Sequence, residues 1–167
     1  MGKKPTKTKR GWMAGFMDGE GLITIGKQIR RNRPSPAFRA YAGACNTNRR
    51  VLEIFPEYYG GKIYRVNEKR TDEMGGKWAD QYQWYCPISS TKRFLLDILP
   101  YLRLKKKQAI LVLEFIQNKK AFARGKRMGR GGSSPLTQEE IDFRERLRRR
   151  VRLLNKKGKY ARSGGGG

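Results

Sequence analysis

Met13-Ala-Gly-Phe-Met-Asp-Gly-Glu-Gly21 sets two acids, Asp18 and Glu20, among three glycines at the end of a predicted short helix, Trp12 to Asp18. Negative charge is disfavoured there, because the helix dipole already carries its partial negative charge at that end. Two carboxylates in this position call for a counter-ion. Gly15 and Gly19 stand four residues apart and share one helical face with almost no side chain on it. Such a face admits another helix at close range, as small-residue faces do in membranes. If the other helix is its own copy from a second protomer, both helix ends bring their carboxylates to the symmetry axis. Paired oxygen ligands of that kind suit a hard divalent ion such as Mg²⁺.

On the C-terminal side, Leu22 to Arg30 and Ala37 to Cys45 alternate apolar with polar residues, and the basic stretch RRNRPSP joins them as a hairpin loop. Val51 to Tyr59 is a helical segment after an Asn48 cap, and Gly60-Gly61 stops it. Lys62 to Lys69 and Trp78 to Ile88 form a second hairpin around TDEMGG. Helices follow over Thr91 to Leu99 and over Lys105 to Phe122, the latter with Ile110, Leu113, Phe115 and Ile116 at helical spacing. After the glycine-rich, basic linker Gly125 to Pro135, Thr137-Gln-Glu-Glu140 reads as a capping box that opens an arginine-heavy helix to Asn155. The order is αββαββα plus a C-terminal helix, an α+β arrangement. The first helix has no second copy in the chain. Residues 1–10 read as a basic mobile arm, 11–160 as one domain and 161–167 as a flexible tail.

The chemistry is bounded by what is missing. The chain of 167 residues has no histidine, which excludes Ser-His-Asp and Cys-His catalysis and imidazole metal sites. Hydrolysis must then use carboxylates, lysines, water and hard metals. Cys45 and Cys86 are far apart and suggest packed thiols in a reducing compartment rather than a disulfide or a zinc site. With 39 Lys plus Arg against 14 Asp plus Glu, the net charge is +25. A mere solubility surface would mix signs and leave a net charge of magnitude roughly 2–8. A polyanion is the expected partner, nucleic acid ahead of an anionic membrane, because no segment backs its basic face with a strongly apolar one. The start MGKKPTKTKR is followed by no signal-peptide core, and the longest apolar run, Ala109 to Leu113, is too short to cross a bilayer. An intracellular protein, in cytoplasm or organelle and not secreted, is the expectation.

MAGFMDGEG resembles the LAGLIDADG motif of homing endonucleases. The likeness extends through the element order, the Asn-Thr-Asn after the second strand, Gly-Gly-Lys-Ile-Tyr opening the third, and LPYLRLKKKQAILVLEF. It covers Gly11 to Phe122. One motif copy is similar to the single-motif, homodimeric members. The resemblance implies a saddle-shaped antiparallel sheet in the major groove of a long pseudo-palindromic DNA site. It further implies Mg²⁺-dependent double-strand cleavage across the minor groove, leaving 3′ overhangs, by an endonuclease encoded in an intron or intein. Glu20 matches the family's metal-binding acid, often Asp there, with Gly19 beside it at the metal. Asn46 matches the residue that holds the nucleophilic water, a place where Gln is common. Lys105, with Arg50 as a second candidate, matches the basic residue that supports the water network and the phosphate charge. Ala14, Gly15, Asp18 and Gly19 are expected at the dimer interface, Asp18 in a capping role.

Strand alternation assigns a DNA face. Ile23, Ile25 and Ile29 share one side of the first strand, leaving Thr24, Gln28 and Arg30 on the other. Phe38, Ala40, Ala42 and Ala44 align in the second, so Arg39 and Tyr41 face the groove. Arg65, Asn67 and Lys69 are the candidates of the third, where Ile63 breaks the pattern. Tyr82 and Trp84 are the core side of the fourth, exposing Gln81 and Gln83. Arg to guanine and Gln to adenine are favoured base-edge pairings. A ten-residue strand spans roughly 33 Å, about ten base pairs, so two protomers cover about twenty. The arginines of the last helix, with Lys126, Arg127 and Arg130, are expected to touch phosphates. The rival readings are a non-cleaving DNA-binding regulator of the same fold, an RNA-binding intron maturase, and a basic ribosomal-type protein. The last needs neither the glycine face nor the two acids.

Overall fold

Thr6 opens the first helix, α1 (Lys7–Glu20), by accepting the Lys9 N–H on its side-chain oxygen. The structure is a computed structural model that describes residues 3–29, 31, 35–66, 80–124 and 135–160. α1 starts five residues before the expected Trp12, so the presumed mobile arm is docked over residues 3–10. Three of its basic groups have partners: Arg10 pairs with Asp97 at 3.7 Å, Lys3 with Glu57 at 3.8 Å, and Lys9 donates to the Tyr58 hydroxyl. Met13, Ala14 and Met17 form the buried stripe of α1.

The strands are β1 (Gly21–Gln28), β2 (Ala37–Asn46), β3 (Ile63–Val66) and β4 (Gln81–Tyr85), in an open antiparallel sheet ordered β1-β2-β4-β3. Phe38, Ala40, Ala42 and Ala44 are buried as their alternation requires, and so are Ile23 and Ile25. Ile29, expected with them, lies past the end of β1 and is 81% exposed. β4 stops short of the predicted end at Ile88 because, past Cys86, Pro87 lacks the N–H to extend the ladder. It instead caps α4 (Ile88–Ile98), where Thr91 Oγ1 donates to its carbonyl.

Between the hairpins the predicted single helix is two, α2 (Arg49–Leu52) and α3 (Ile54–Tyr59), interrupted at Glu53. Pro56 explains the break: it has no N–H to give the Leu52 carbonyl. Asn48 caps α2, and Gly60 and Gly61 end α3 with φ of +74° and +91°, which only glycine adopts without strain.

The chain packs as two compact units, residues 1–22 with 41–104, and residues 23–40 with 105–167. The first unit is built on an aromatic cluster. Phe55 stacks on Trp84 at 4.7 Å, and Phe94 meets Trp84 edge-on at 5.3 Å and Tyr59 at 4.9 Å. Trp84 Nε1 donates to the Gly60 carbonyl, so the indole is buried with its polar atom satisfied.

The second unit pairs α5 (Lys106–Arg124) with α6 (Gln138–Tyr160). Ala109, Val112 and Phe115 are the buried residues at helical spacing in α5, while Ile110, expected in the core stripe, is 47% exposed. The capping box forms as read. Glu140 N–H donates to Thr137 Oγ1, and Thr137 N–H donates to Glu140 Oε2. Among the described residues, no helix is long and apolar enough to cross a membrane. The linker cations Lys126, Arg127 and Arg130 and the tail 161–167 lie outside the described residues.

Candidate metal and nucleic-acid site

The two acids of the opening motif have separate uses. Asp18 Oδ2 accepts the Arg103 N–H at 2.7 Å, and Oδ1 accepts the Leu104 N–H at 3.1 Å. Both oxygens of Asp18 are therefore spent on consecutive loop amides of the same unit, a charge-assisted cap. Glu20 is exposed at the last position of α1. Its backbone carbonyl accepts the Cys45 thiol at 3.7 Å, which holds the end of α1 beside the end of β2.

Asn46 follows Cys45 directly. Its Oδ1 accepts the Asn48 N–H at 2.8 Å, and Asn48 Oδ1 accepts the Arg50 N–H at 3.0 Å. These two successive turns fix Asn46 and start α2, on which Arg50 is exposed. Glu20, Asn46 and Arg50 thus belong to one unit. Lys105 belongs to the other, at the start of α5, where its carbonyl accepts the Ala109 N–H at 3.0 Å.

The donor set suits a hard cation in kind: a carboxylate and backbone carbonyls, with no sulfur or imidazole. In number it is incomplete. Among the described residues, no three acidic or thiol side chains gather as a metal site, and with Asp18 engaged one chain brings the Glu20 carboxylate alone.

The outer face of α1 is bare. A Cβ at Gly15 or Gly19 would meet nothing within 4 Å. Trp12 shares this face, is 45% exposed and stacks on Phe16 at 5.3 Å. Ala14 does not share it: its side chain has no exposed surface, because it lies on the Met13 and Met17 side of the helix. The sequence reading missed Trp12, although its spacing of three and seven residues from Gly15 and Gly19 put it on the glycine face.

The strand register sorts the base-reading candidates. In the second unit, Thr24 and Gln28 sit on the side of β1 opposite Ile23 and Ile25, and Arg39 points away from buried Phe38 and Ala40. In the first unit, Gln83 lies between Cys45 of β2 and Tyr64 of β3, directly opposite both. Gln81 and Tyr41 share that side by alternation, away from buried Trp84 and Ala44. Arg65 does not. It stands opposite Tyr82, and Ile63 opposite Trp84, so both share the Trp84 side of the sheet, where Arg65 is exposed, and Ile63 breaks no pattern. Arg65 also pairs with Asp80 at 2.5 Å, and that hydrogen bond raises the guanidinium pKa above its ordinary value. Tyr64, 55% exposed, takes the place on the outer face that Arg65 was expected to hold. Arg30, Asn67 and Lys69 lie outside the described residues.

No family model matches the chain, and no curated protein is similar to it in sequence. Solved structures are similar in fold. The homing endonuclease I-CvuI, in complex with the I-CreI target in the presence of Mg with the DNA not cleaved, is 22% identical with a TM-score of 0.67, over 89% of this chain and 82% of that one. The homing endonuclease I-TnaI is 14% identical with a TM-score of 0.57, over 94% and 99%. The LAGLIDADG homing endonuclease I-GzeII, in complex with its DNA target, is 16% identical with a TM-score of 0.57, over 81% of this chain and 43% of that one. The expected LAGLIDADG homing-endonuclease fold is therefore the fold of this chain.

Proposed function

We propose that the chain is a site-specific double-strand DNA endonuclease, active as a homodimer on a long pseudo-palindromic site and dependent on Mg²⁺. The observation that carries this reading is the division of labour at the end of α1. Asp18 is consumed inside the protomer, while Glu20 stays exposed at the end of a helix whose outer face is bare. Two copies of that face, with Trp12 and the open Gly15 and Gly19 positions in contact, bring two Glu20 carboxylates together. The pair supplies what one chain lacks. The DNA complexes among the similar structures, and the Mg in one of them, support duplex DNA as substrate and a divalent cation as cofactor.

In this reading Glu20 and the Gly19 carbonyl hold the cation. When bound, Mg²⁺ orients water and stabilises the leaving 3′ oxygen. The Asn46 side-chain amide, fixed by its turn, holds the attacking water in place. Lys105, with Arg50 as the second candidate for the role, sets positive charge against the scissile phosphate as its negative charge grows. The absence of histidine is no obstacle, since no step needs an imidazole. Thr24, Gln28, Arg39, Tyr41, Gln81 and Gln83 read base edges in the major groove, and strand breaks across the minor groove leave 3′ overhangs.

The test is incubation of the purified protein with Mg²⁺ and a library of long duplexes. Cleavage by the native chain, lost in Glu20→Gln with duplex binding retained, supports the enzyme. Binding without cleavage by the native chain makes it a regulator of the same fold. A particle that sediments as one protomer on its duplex overturns the shared site.

A further inference from the structure

Along α6 the buried residues are Glu140, Arg144, Leu147 and Val151, spaced as one helical stripe. This stripe faces the buried side of β1. Asn155 Nδ2 donates to the Ile23 carbonyl, and Glu145 pairs at 3.0 Å with Lys27, which shares its side of β1 with Ile23 and Ile25. The opposite edge of α6 therefore points away from the sheet, and away from Thr24, Gln28 and Arg39 on the sheet's outer side.

That edge is strongly basic. Arg146, Arg149, Arg150, Arg152 and Lys156 are all exposed, and no acid occurs from residue 146 to the end of the chain. Glu145 comes within 3.7 Å of Arg149 but already holds Lys27 at 3.0 Å and Arg148 at 2.8 Å, so it does not neutralise the stripe. Arg146 lies over the Phe143 ring at 5.4 Å, a cation–π contact on the same helix that leaves its charge unneutralised. From Arg146 to Lys156 the stripe runs about 15 Å. At about 3.4 Å per nucleotide along one strand, that matches a run of about four phosphates.

We infer that this stripe is a second surface for duplex DNA, one that binds phosphates without reading bases and engages a different DNA segment from the one under the sheet. The inference rests on the duplex-DNA reading above. The two surfaces of the unit face opposite ways, and a duplex with a persistence length of about 150 base pairs does not fold round a domain this small without a large bending cost. The edge presents arginines and a lysine along the exposed side of one helix, a row of charge that suits phosphates, with no Asn or Gln among its exposed members past Gln138. A protein held on long DNA meets other segments of the same molecule at high effective concentration, which makes duplex DNA the polyanion that finds this face first. Such bridging lets the protein pass between segments while it searches for its site.

The experiment is a bridging assay with the full chain. A random-sequence duplex is fixed to beads, the protein is bound to it, and capture of a second, labelled duplex is measured against salt. The comparison variant carries Arg146→Gln, Arg149→Gln, Arg150→Gln, Arg152→Gln and Lys156→Gln together. All five positions are exposed, and circular dichroism and thermal unfolding verify its fold. The expected result is capture by the native chain, reduced roughly tenfold or more in the variant and with a shallower salt slope, while binding to the first duplex changes by no more than about twofold. Equal capture by native chain and variant overturns the inference, as does a face that captures an RNA hairpin while ignoring duplex DNA. Failure of both proteins to bind the first duplex instead overturns the duplex-DNA reading.

Discussion

Asp18 and Arg103, 85 residues apart in the chain, are joined by a 2.7 Å hydrogen bond from the Arg103 N–H to the Asp18 carboxylate, and the next amide, of Leu104, takes the other oxygen. This pins the end of α1 to the loop that follows α4. It also occupies both carboxylate oxygens of one of the motif's two acids, while Glu20 stays exposed.

Substitution separates the two roles. In Asp18→Asn one acceptor becomes a donor facing an amide N–H, and the charge that strengthens both bonds is lost. Urea unfolding should show a loss of about 1–2 kcal/mol. Glu20→Gln should keep stability unchanged or raise it slightly, by about 0.3–1 kcal/mol at most as the charge leaves the helix end, and abolish cleavage. The reverse ranking would make Asp18 the metal ligand.

The glycines of α1 should diverge in the same way. Gly15→Ala places its methyl in open space, so the isolated protomer should gain about 0.5–1 kcal/mol from helix propensity. Sedimentation equilibrium should show the dimer weakened roughly tenfold or more by the same change, about 1.4 kcal/mol of association. Gly21→Ala has no such room, since its Cβ would lie 2.5 Å from the Met17 carbonyl oxygen. That variant should be unstable even as a monomer. A Gly15→Ala protein that dimerises as before removes α1 from the interface.

Base readout should follow the register rather than residue type. Gln83→Ala should relax preference at one base pair by about 1–3 kcal/mol in a binding selection, and Tyr64→Ala should alter the profile nearby. Arg65→Ala should leave the preferences intact, because Arg65 is on the Trp84 side of the sheet, away from Gln83, and paired with Asp80. Loss of guanine preference in Arg65→Ala would contradict the strand pairing.

The thiols give a pH signature of the first unit. Burial pushes the Cys86 thiol from 9.0 up to about 12. The folded protein keeps this proton to higher pH than the unfolded chain, so its contribution to stability is complete below pH 9 and is lost as pH rises towards 12. Native protein should lose stability more steeply over that window than Cys86→Ala, read as the unfolding midpoint against pH. Under native conditions a thiol reagent should label half-buried Cys45 well before buried Cys86.

Much of the fold was legible because it rests on local rules. The alternation of β2, the Asn48 cap, the Gly60-Gly61 stop and the Thr137–Glu140 capping box each depend on a few neighbouring residues. The elements that departed from the pattern depend on distant partners or on backbone chemistry overlooked in the pattern. α1 began early because Asp97, Glu57 and Tyr58 hold its basic start, and α2 parted from α3 at a proline written in the chain.

By itself the sequence determined the large positive charge, the exclusion of imidazole chemistry, the helix-ending pair of acids and the glycine face, since charge, composition and helical spacing are properties of the chain. Tertiary structure alone decided which acid stays exposed, which side of the sheet Arg65 takes and which way the α6 arginines point. Those outcomes follow from hydrogen bonds and strand registers between segments tens of residues apart, and a one-residue change of register reverses every side chain of a strand.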